Sequence, residues 1–306
     1  MEQTRTSALN TASVVEKQRQ ALFSLEEARY LRRKATGTFM VGLLTTLTAV
    51  SVIILFIIVA YITISGIGGI DLAFFIDTPK PLGEVGGGIA QAILGTFEML
   101  IVGAIIAVPL GVGTAIYMSE YGAGWLANSI RFCLELLASL PSIVIGVFVW
   151  AVVVRTFHSF SGLAGSIALS FIMIPIIARS VEEILRLVPN SLREAGLALG
   201  VPRWRVIIGV VIPTVLPGIV TGIVLSIARA AGETAPLLLT SLGNEFFNFD
   251  LSKPMAAIPL QIYNYAVSPY DDWHKKAWAA TLVLVVVVAI FSGAIRFTMR
   301  KFRYVR

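Results

Sequence analysis

Six stretches of this chain are each long and apolar enough to cross a bilayer, and that limits the fold more than any other feature. A spanning helix needs about 20 mostly apolar residues, because hydrocarbon leaves every backbone N–H and C=O to be paired inside its own segment. The candidates run over about 38–65 (TFMVGLLTTLTAVSVIILFIIVAYITIS), 89–118, 130–154, 163–181, 211–240 and 277–297. The 306 residues are 57% hydrophobic and 14% charged, against about a quarter charged in soluble domains. The chain therefore reads as an all-α integral membrane protein of six transmembrane helices. Several runs exceed the span length, which predicts tilt or helix continuing past the bilayer. The first run follows a polar tail of roughly 36 residues, is too long for a signal-peptide core and has no A-x-A pattern after it, so it is read as a retained helix.

The net charge of +6 is an orientation signal before it is a ligand signal. Arg5, Lys17, Arg19, Arg29, Arg32, Arg33 and Lys34 crowd the N-terminal tail, and Arg296, Arg300, Lys301, Arg303 and Arg306 the C-terminal end. Arg186, Arg193, Arg203 and Arg205 lie between the fourth and fifth spans, whereas the opposite loops mix Lys with Asp and Glu. The positive-inside rule then expects both termini and segment 184–210 in the cytoplasm, with Tyr270, Trp273 and Trp278 in an aromatic belt on the far side. The expected division is a cytoplasmic tail at 1–37, a transmembrane domain at 38–300 and a cytoplasmic end at 301–306. Within the tail, SLEEARYLRRK forms either an amphipathic surface helix or a solvated, positively anchored stretch.

Several function classes drop out. A single cysteine, Cys133, forms no intrachain disulfide, and His158 and His274 lie in different loops, which disfavours a metal centre. There is no G-x-x-x-x-G-K-[ST] loop and no GK pair, so this polypeptide is not expected to bind ATP. Ser, His and Asp residues are scattered across both sides of the membrane, where no nucleophilic triad assembles. No catalytic residues and no cofactor are expected.

Residues 190–213 read NSLREAGLALGVPRWRVIIGVVIP. Ser191 and Glu194 have capping-box spacing, with Asn190 as an alternative cap. Leu192, Ala195, Leu197 and Leu199 supply an apolar stripe, Gly200 suits a left-handed helix end, and Pro202 suits the first turn of the next helix. A short amphipathic helix here is either a docking element that inserts into another protein or a lipid-facing connector. The segment resembles the EAA loop of ABC importer permeases. Glu194 and Ala195 match that pattern, Gly196 replaces its second Ala, Gly200 and Pro213 match, and Val210 and Ile212 stand at the Ile and Leu positions. The resemblance implies docking on an ATPase subunit through Ser191, Glu194, Ala195, Gly196, Leu199 and Gly200. A glycine within that helix is expected to weaken it by up to ~1 kcal/mol relative to Ala.

The other informative stretch is ARAAGETAP, 228–236, at the end of the fifth apolar run. Arg229 and Glu233 are four apart, which puts them on one face of a continuous helix. A charge at the bilayer centre costs about 2.5–3.5 kcal/mol on insertion scales. Three readings stand: an internal ion pair that lets the helix pack, an anion contact at Arg229 tuned by Glu233, or proton carriage by Glu233. Gly232 and Pro236 weaken the helix, Ala230, Ala231 and Ala235 leave room, and Arg suits a tetrahedral oxyanion through its planar fork. Elsewhere, Glu135 is four residues from Arg131 and is expected to pair with it, whereas Glu98 has no local partner. Arg179, Glu182, Glu183 and Arg186 make a charged helix end, and Pro109, Pro141 and Pro175 are kink positions.

RAAGETAP, together with VPLGVGTAIYMSEY (108–121), LASLPSIVIGVF (137–148) and IPIIARSVEEILRLVPNSLREAGLALGVPRW (174–204), is similar to the phosphate ABC transporter permeases of the PstA type. The resemblance covers about 38–300. It implies a MetI-like permease fold with a cytoplasmic coupling helix and a phosphate path at Arg229, Glu233 and Thr234. It also implies a PstC-like second permease, a PstB-like ATPase dimer carrying ATP and Mg, and an extracytoplasmic PstS-like phosphate-binding protein, in a prokaryotic inner membrane. The rival readings are a permease for another oxyanion, such as molybdate or sulfate, and an ion-coupled secondary transporter.

Overall fold

The computed structural model describes the backbone at residues 2–81, 84, 86–122 and 124–303, and side chains at 29–30, 32–81, 84, 86–122 and 124–298. The chain divides into two units, Met1–Tyr61 and Ile62–Arg306. The first is one helix, α1 (Glu2–Ile67), which runs through the expected tail into the first span and ends just inside the second unit. Most side chains of SLEEARYLRRK, and those at 301–306, lie outside the described residues.

The second unit contains α2 (Leu72–Ile76), α3 (Ala90–Ile116), α4 (Trp125–Ser139), α5 (Ser142–Val149), α6 (Arg155–Phe157), α7 (Gly162–Arg186), α8 (Asn190–Ala198), α9 (Arg203–Val206), α10 (Ile212–Ala230), α11 (Ala235–Thr240), α12 (Ile258–Ala266) and α13 (Asp271–Arg303). Three π turns, at 117–121, 150–154 and 207–211, join α3 to its end, α5 to α6 and α9 to α10. Among the described residues five helices are long and apolar enough to span, and a bent pair makes a sixth span if counted as one. That pair corrects the expectation of one straight helix over 130–154. α4 and α5 meet at 104°. Pro141 forces the bend: it has no N–H to give the helix, and it drives Leu140 into an extended conformation (φ −66°, ψ 137°).

α7 is the axle of the bundle. Gly103, Ala107, Gly111 and Ala115 repeat every four residues and so line one face of α3. A methyl at Gly111 would meet Ile177 Cβ at 2.8 Å, and one at Gly103 would meet the Ser166 carbonyl at 3.1 Å. On the other flank, Gly218 and Gly222 of α10 bring it onto Ile184 and Ser180 in the same way. Lipid tails are as apolar as Leu, so helix association in a membrane rests on close packing, and small residues allow it. Met99, Leu169, Met173, Ile177, Val181 and Leu185 fill the resulting core. A second cluster around Phe74, Ile89, Ile258, Tyr265 and Ala279 joins α2, α12 and α13 at the end of the bundle opposite α8.

Three of the ion pairs among the described residues join different helices. Arg131 does not pair with Glu135: its Nε donates to Glu182 Oε1 at 2.9 Å on α7, while Glu135 faces Arg179 at 3.6 Å. Glu182 also takes Arg186 at 2.6 Å. Glu98 Oε2 is buried with no hydrogen-bond partner among the described residues. In the loop after α11, Asp250 accepts from Ser252 Oγ at 2.6 Å and Ser252 N at 3.0 Å. These bonds, the side-chain one first, hold its carboxyl below the usual carboxylate range.

Candidate functional site

The fifth apolar run breaks where RAAGETAP lies. Pro236 offers no N–H, so the Gly232 carbonyl loses its helical donor. The ladder tightens to Gly232 N–Arg229 O at 3.3 Å and Glu233 N–Ala230 O at 3.1 Å, then restarts at Leu238 N–Thr234 O, 3.0 Å. α10 therefore stops at Ala230, and Arg229 and Glu233 do not share one continuous helical face. The internal ion pair, one of the three readings of this stretch, is not formed among the described residues. Among the described residues neither side chain has an ion-pair or hydrogen-bond partner, and Arg229 is exposed and Glu233 partly buried.

Both instead line one cleft of about 690 Å³. Its other walls are the bend between α4 and α5 (Leu137–Ser142 and Ile145), Ile172, Pro175 and Ile176 at the middle of α7, and Leu225 of α10. The cleft is thus apolar at helix mid-height, with one guanidinium, one carboxyl and two serine hydroxyls, Ser139 and Ser142, added. Thr234, at the N-terminal boundary of α11, is not among the lining residues. The cleft is pinned by α5 lying on α11: a methyl at Gly146 would stand 2.7 Å from Pro236 Cα.

The second candidate region is α8. None of its residues is buried, and Leu199 just beyond it is 83% exposed. Gly200 ends the helix at φ +76°, the left-handed conformation that glycine adopts at no steric cost. The capping box is not made. The helix begins at Asn190 with Pro189 at its boundary, which places Ser191 inside the first turn, and no side chain caps it. The Asn190 Oδ1 accepts from Arg193 Nη1 at 3.4 Å instead.

Gly196 is not a mere small-for-small exchange. A methyl there would meet Val206 Cγ2 at 2.8 Å, and Val206 is buried with one preferred rotamer. Helix propensity favours Ala by at most about 1 kcal/mol, while overpacking costs about 1–3 kcal/mol, so the clash wins. Gly196→Ala is expected to lower the melting temperature of the purified protein, and adding Val206→Ala is expected to restore it. A variant as stable as wild type would show that the α8–α9 contact is slack.

Sequence reasoning missed Glu120. It sits in YMSEY at the end of α3, is 2% exposed on its side chain, and takes Arg193 of α8 at 2.7 Å. The available signal was an acid closing a span, with Arg193 and Arg203 in the later loop between the fourth and fifth spans. Charge counting alone uses both arginines for orientation.

Comparison with known proteins fits this architecture. A family model described as "Binding-protein-dependent transport system inner membrane component" matches residues 107–304. The chain is 43% identical over 228 residues to the phosphate transport system permease protein PstA of Yersinia pestis, covering 74% of this chain and 77% of that one. With PstA of Haemophilus influenzae it shares 38% over 265 residues, covering 86% and 93%. The chain belongs to the PstA family of phosphate transport system permeases. The permease also has the fold of two solved transporters. A bacterial alginate ABC transporter, in complex with an alginate pentasaccharide-bound periplasmic protein, matches with a TM-score of 0.62 at 15% identity over 85% of this chain and 94% of that one. The inward-facing MetNI methionine ABC transporter matches at 0.60 and 19% identity over 70% and 95%. At those identities the likeness is one of fold, and it supports the MetI-like arrangement expected from the sequence. As a permease subunit the chain is a membrane transport protein and not an enzyme.

Proposed function

We propose that the chain is the permease subunit of an ATP-driven importer of inorganic phosphate, and that Arg229 and Glu233 lie on the phosphate path. The observation that supports this most is a guanidinium with no ion-pair partner among the described residues, in a mostly apolar cleft of a PstA-family chain. A phosphate oxyanion leaving water needs charge-assisted donors, and the planar fork of Arg229 supplies two in parallel. Glu233, on the same cleft, repels the anion and so keeps binding weak enough for release, which a conducting path requires. Thr234, which the sequence also placed on the path, follows Glu233 in the chain and does not line the cleft.

In this reading both termini and α8 face the cytoplasm of a prokaryotic cell, in its inner membrane. α8, with Ser191, Glu194, Ala195, Gly196, Leu199 and Gly200, docks on a PstB-like ATPase dimer that holds ATP and Mg. A PstC-like permease supplies the facing wall of the path, and a PstS-like binding protein delivers phosphate at the other end. Radiolabelled phosphate uptake by vesicles holding the complete complex tests it. Uptake is expected to depend on ATP and to resist a tenfold excess of sulfate or molybdate. Uptake abolished by either competitor would assign the path to another oxyanion, and uptake without ATP would favour ion coupling.

A further inference from the structure

We propose that Glu120 is a positioning residue, the anchor through which α8 moves α3 and α7 as one body. The proposal rests on the import reading above and concerns how force from the ATPase side reaches the cleft. α8 is continuous in the chain only with the end of α7 and, through the turn at 199–202, with α9. Nothing in the backbone ties it to α3, whose end lies some seventy positions earlier. The tie is made by side chains, and it is made to a π turn.

The π turn at 117–121 is held by three arginines from three elements. Arg193 of α8 forks onto the Glu120 carboxylate, with Nη2–Oε1 at 2.7 Å and Nε at 3.1 Å from both oxygens. The same guanidinium donates to the Val188 carbonyl at 2.6 Å and the Leu185 carbonyl at 2.9 Å, closing the C-terminal end of α7. Arg203 of α9 donates to the Glu120 backbone carbonyl and lies over the Tyr121 ring, 5.1 Å from its centroid. Arg131 of α4 donates to the Met118 carbonyl at 2.9 Å and to Glu182 of α7. A π turn widens the backbone ladder from i+4 to i+5 and is often found at functional positions. Here its carbonyls are where side chains from neighbouring helices attach.

Two features separate this from an ordinary surface ion pair. The Glu120 side chain is 2% exposed and that of Arg193 17%, so the pair is removed from water and each partner holds the other in place. Among the described residues, Arg193 is the one member of α8 that forms an ion pair. One guanidinium therefore grips both members of the α3–α7 pair, which are already locked together by the Gly103–Ala115 stripe. A displacement of α8 is delivered to α7 at its end and to α3 at Glu120, and Ile172, Pro175 and Ile176 of α7 form a wall of the cleft.

The test uses the complete transporter in proteoliposomes with Cys133→Ser as background. Spin labels are placed on Leu192→Cys of α8 and on exposed Ile105→Cys of α3. With Glu120 intact, the label distance is expected to stay constant between nucleotide-free and ATP-bound states. In Glu120→Gln it is expected to change by several ångströms between those states. A distance that already changes in the parent overturns the proposal, whatever substrate the transporter moves.

The second readout is phosphate imported per ATP hydrolysed. Glu120→Gln is expected to lower this ratio at least tenfold with unchanged amounts of assembled complex and unchanged ATP hydrolysis in the absence of binding protein. Arg193→Lys, which keeps the charge and loses the fork, is expected to lower it less. The double variant Glu120→Gln/Arg193→Gln is expected to be no worse than the poorer single variant. A wild-type ratio in Glu120→Gln, or effects of the two changes that multiply, overturns the proposal. If Glu120→Gln fails to assemble, Arg193→Lys decides: an unchanged ratio, or loss of assembly there too, means a static clamp. A parent complex that moves no phosphate refutes the import reading and leaves the distance measurement to judge Glu120.

Discussion

Arg229→Ala is expected to lower phosphate uptake about 10- to 100-fold, because a charge-assisted hydrogen bond is worth about 1.5–3 kcal/mol and every 1.4 kcal/mol is a factor of ten. Assembly is expected to survive. Arg229 is exposed and holds no ion pair among the described residues, so its removal leaves no partner stranded. Exposed positions without such partners usually shift stability by no more than about 0.5 kcal/mol. Arg229→Lys should fall between, since an ammonium keeps the charge and lacks the planar fork. The measurement is radiolabelled phosphate uptake, with co-purification of the ATPase subunit to report assembly. Unchanged uptake in Arg229→Ala would remove Arg229 from the path. Lost uptake together with lost assembly would make its role structural.

Gly146→Val is expected to have the largest effect on the cleft itself. The added Cβ would stand 2.7 Å from Pro236 Cα and 3.3 Å from Leu239 Cδ1. The first is a backbone atom beside a proline ring, so no rotamer change relieves it. Overpacking of this kind costs about 1–3 kcal/mol or more, and each kcal/mol lowers the melting temperature of a chain of this size by about 2–4 °C. α5 must move off α11, and the bend that forms one wall of the cleft moves with it. Adding Leu239→Ala is expected to leave the defect in place, in contrast to the rescue of Gly196→Ala by Val206→Ala, where the obstacle is a side chain. Thermal melting of the purified complex checks both. Full recovery with Leu239→Ala would show that the α5–α11 backbones can separate freely.

The spans were legible because hydrocarbon imposes one rule, a long apolar run, on every crossing helix. The same rule hides breaks. Leu140–Pro141 and Ala231–Thr234 lie inside stretches long and apolar enough on average to be read as single spans, yet the chain bends or stops there, because missing donors and proline sterics act on the backbone and not on mean polarity. Pro141, Gly232 and Pro236 marked the weak points without giving their outcome. Local pairing rules failed where a tertiary partner was nearer in space. Arg131 reached Glu182 across to α7, and Arg193 reached Glu120 from the far side of the sequence. The capping box failed for a different reason: the helix entered at Asn190, and a two-residue shift puts Ser191 past the position where a hydroxyl can cap.

The helix over Arg32–Ile67 carries one further consequence. Its 36 residues include a window in which no residue is buried, and at 1.5 Å per residue it is about 54 Å long against a hydrocarbon core of about 30 Å. It satisfies its own backbone hydrogen bonds and needs no neighbour to do so. During synthesis it can therefore leave the translocon into lipid as soon as it is made, before α3 or α7 exists. The small-residue stripes of α3 and α10, by contrast, gain their packing only when their partner arrives. Insertion of this helix is then expected to be independent of the rest, with the small-residue stripes packing once α7 is in the bilayer.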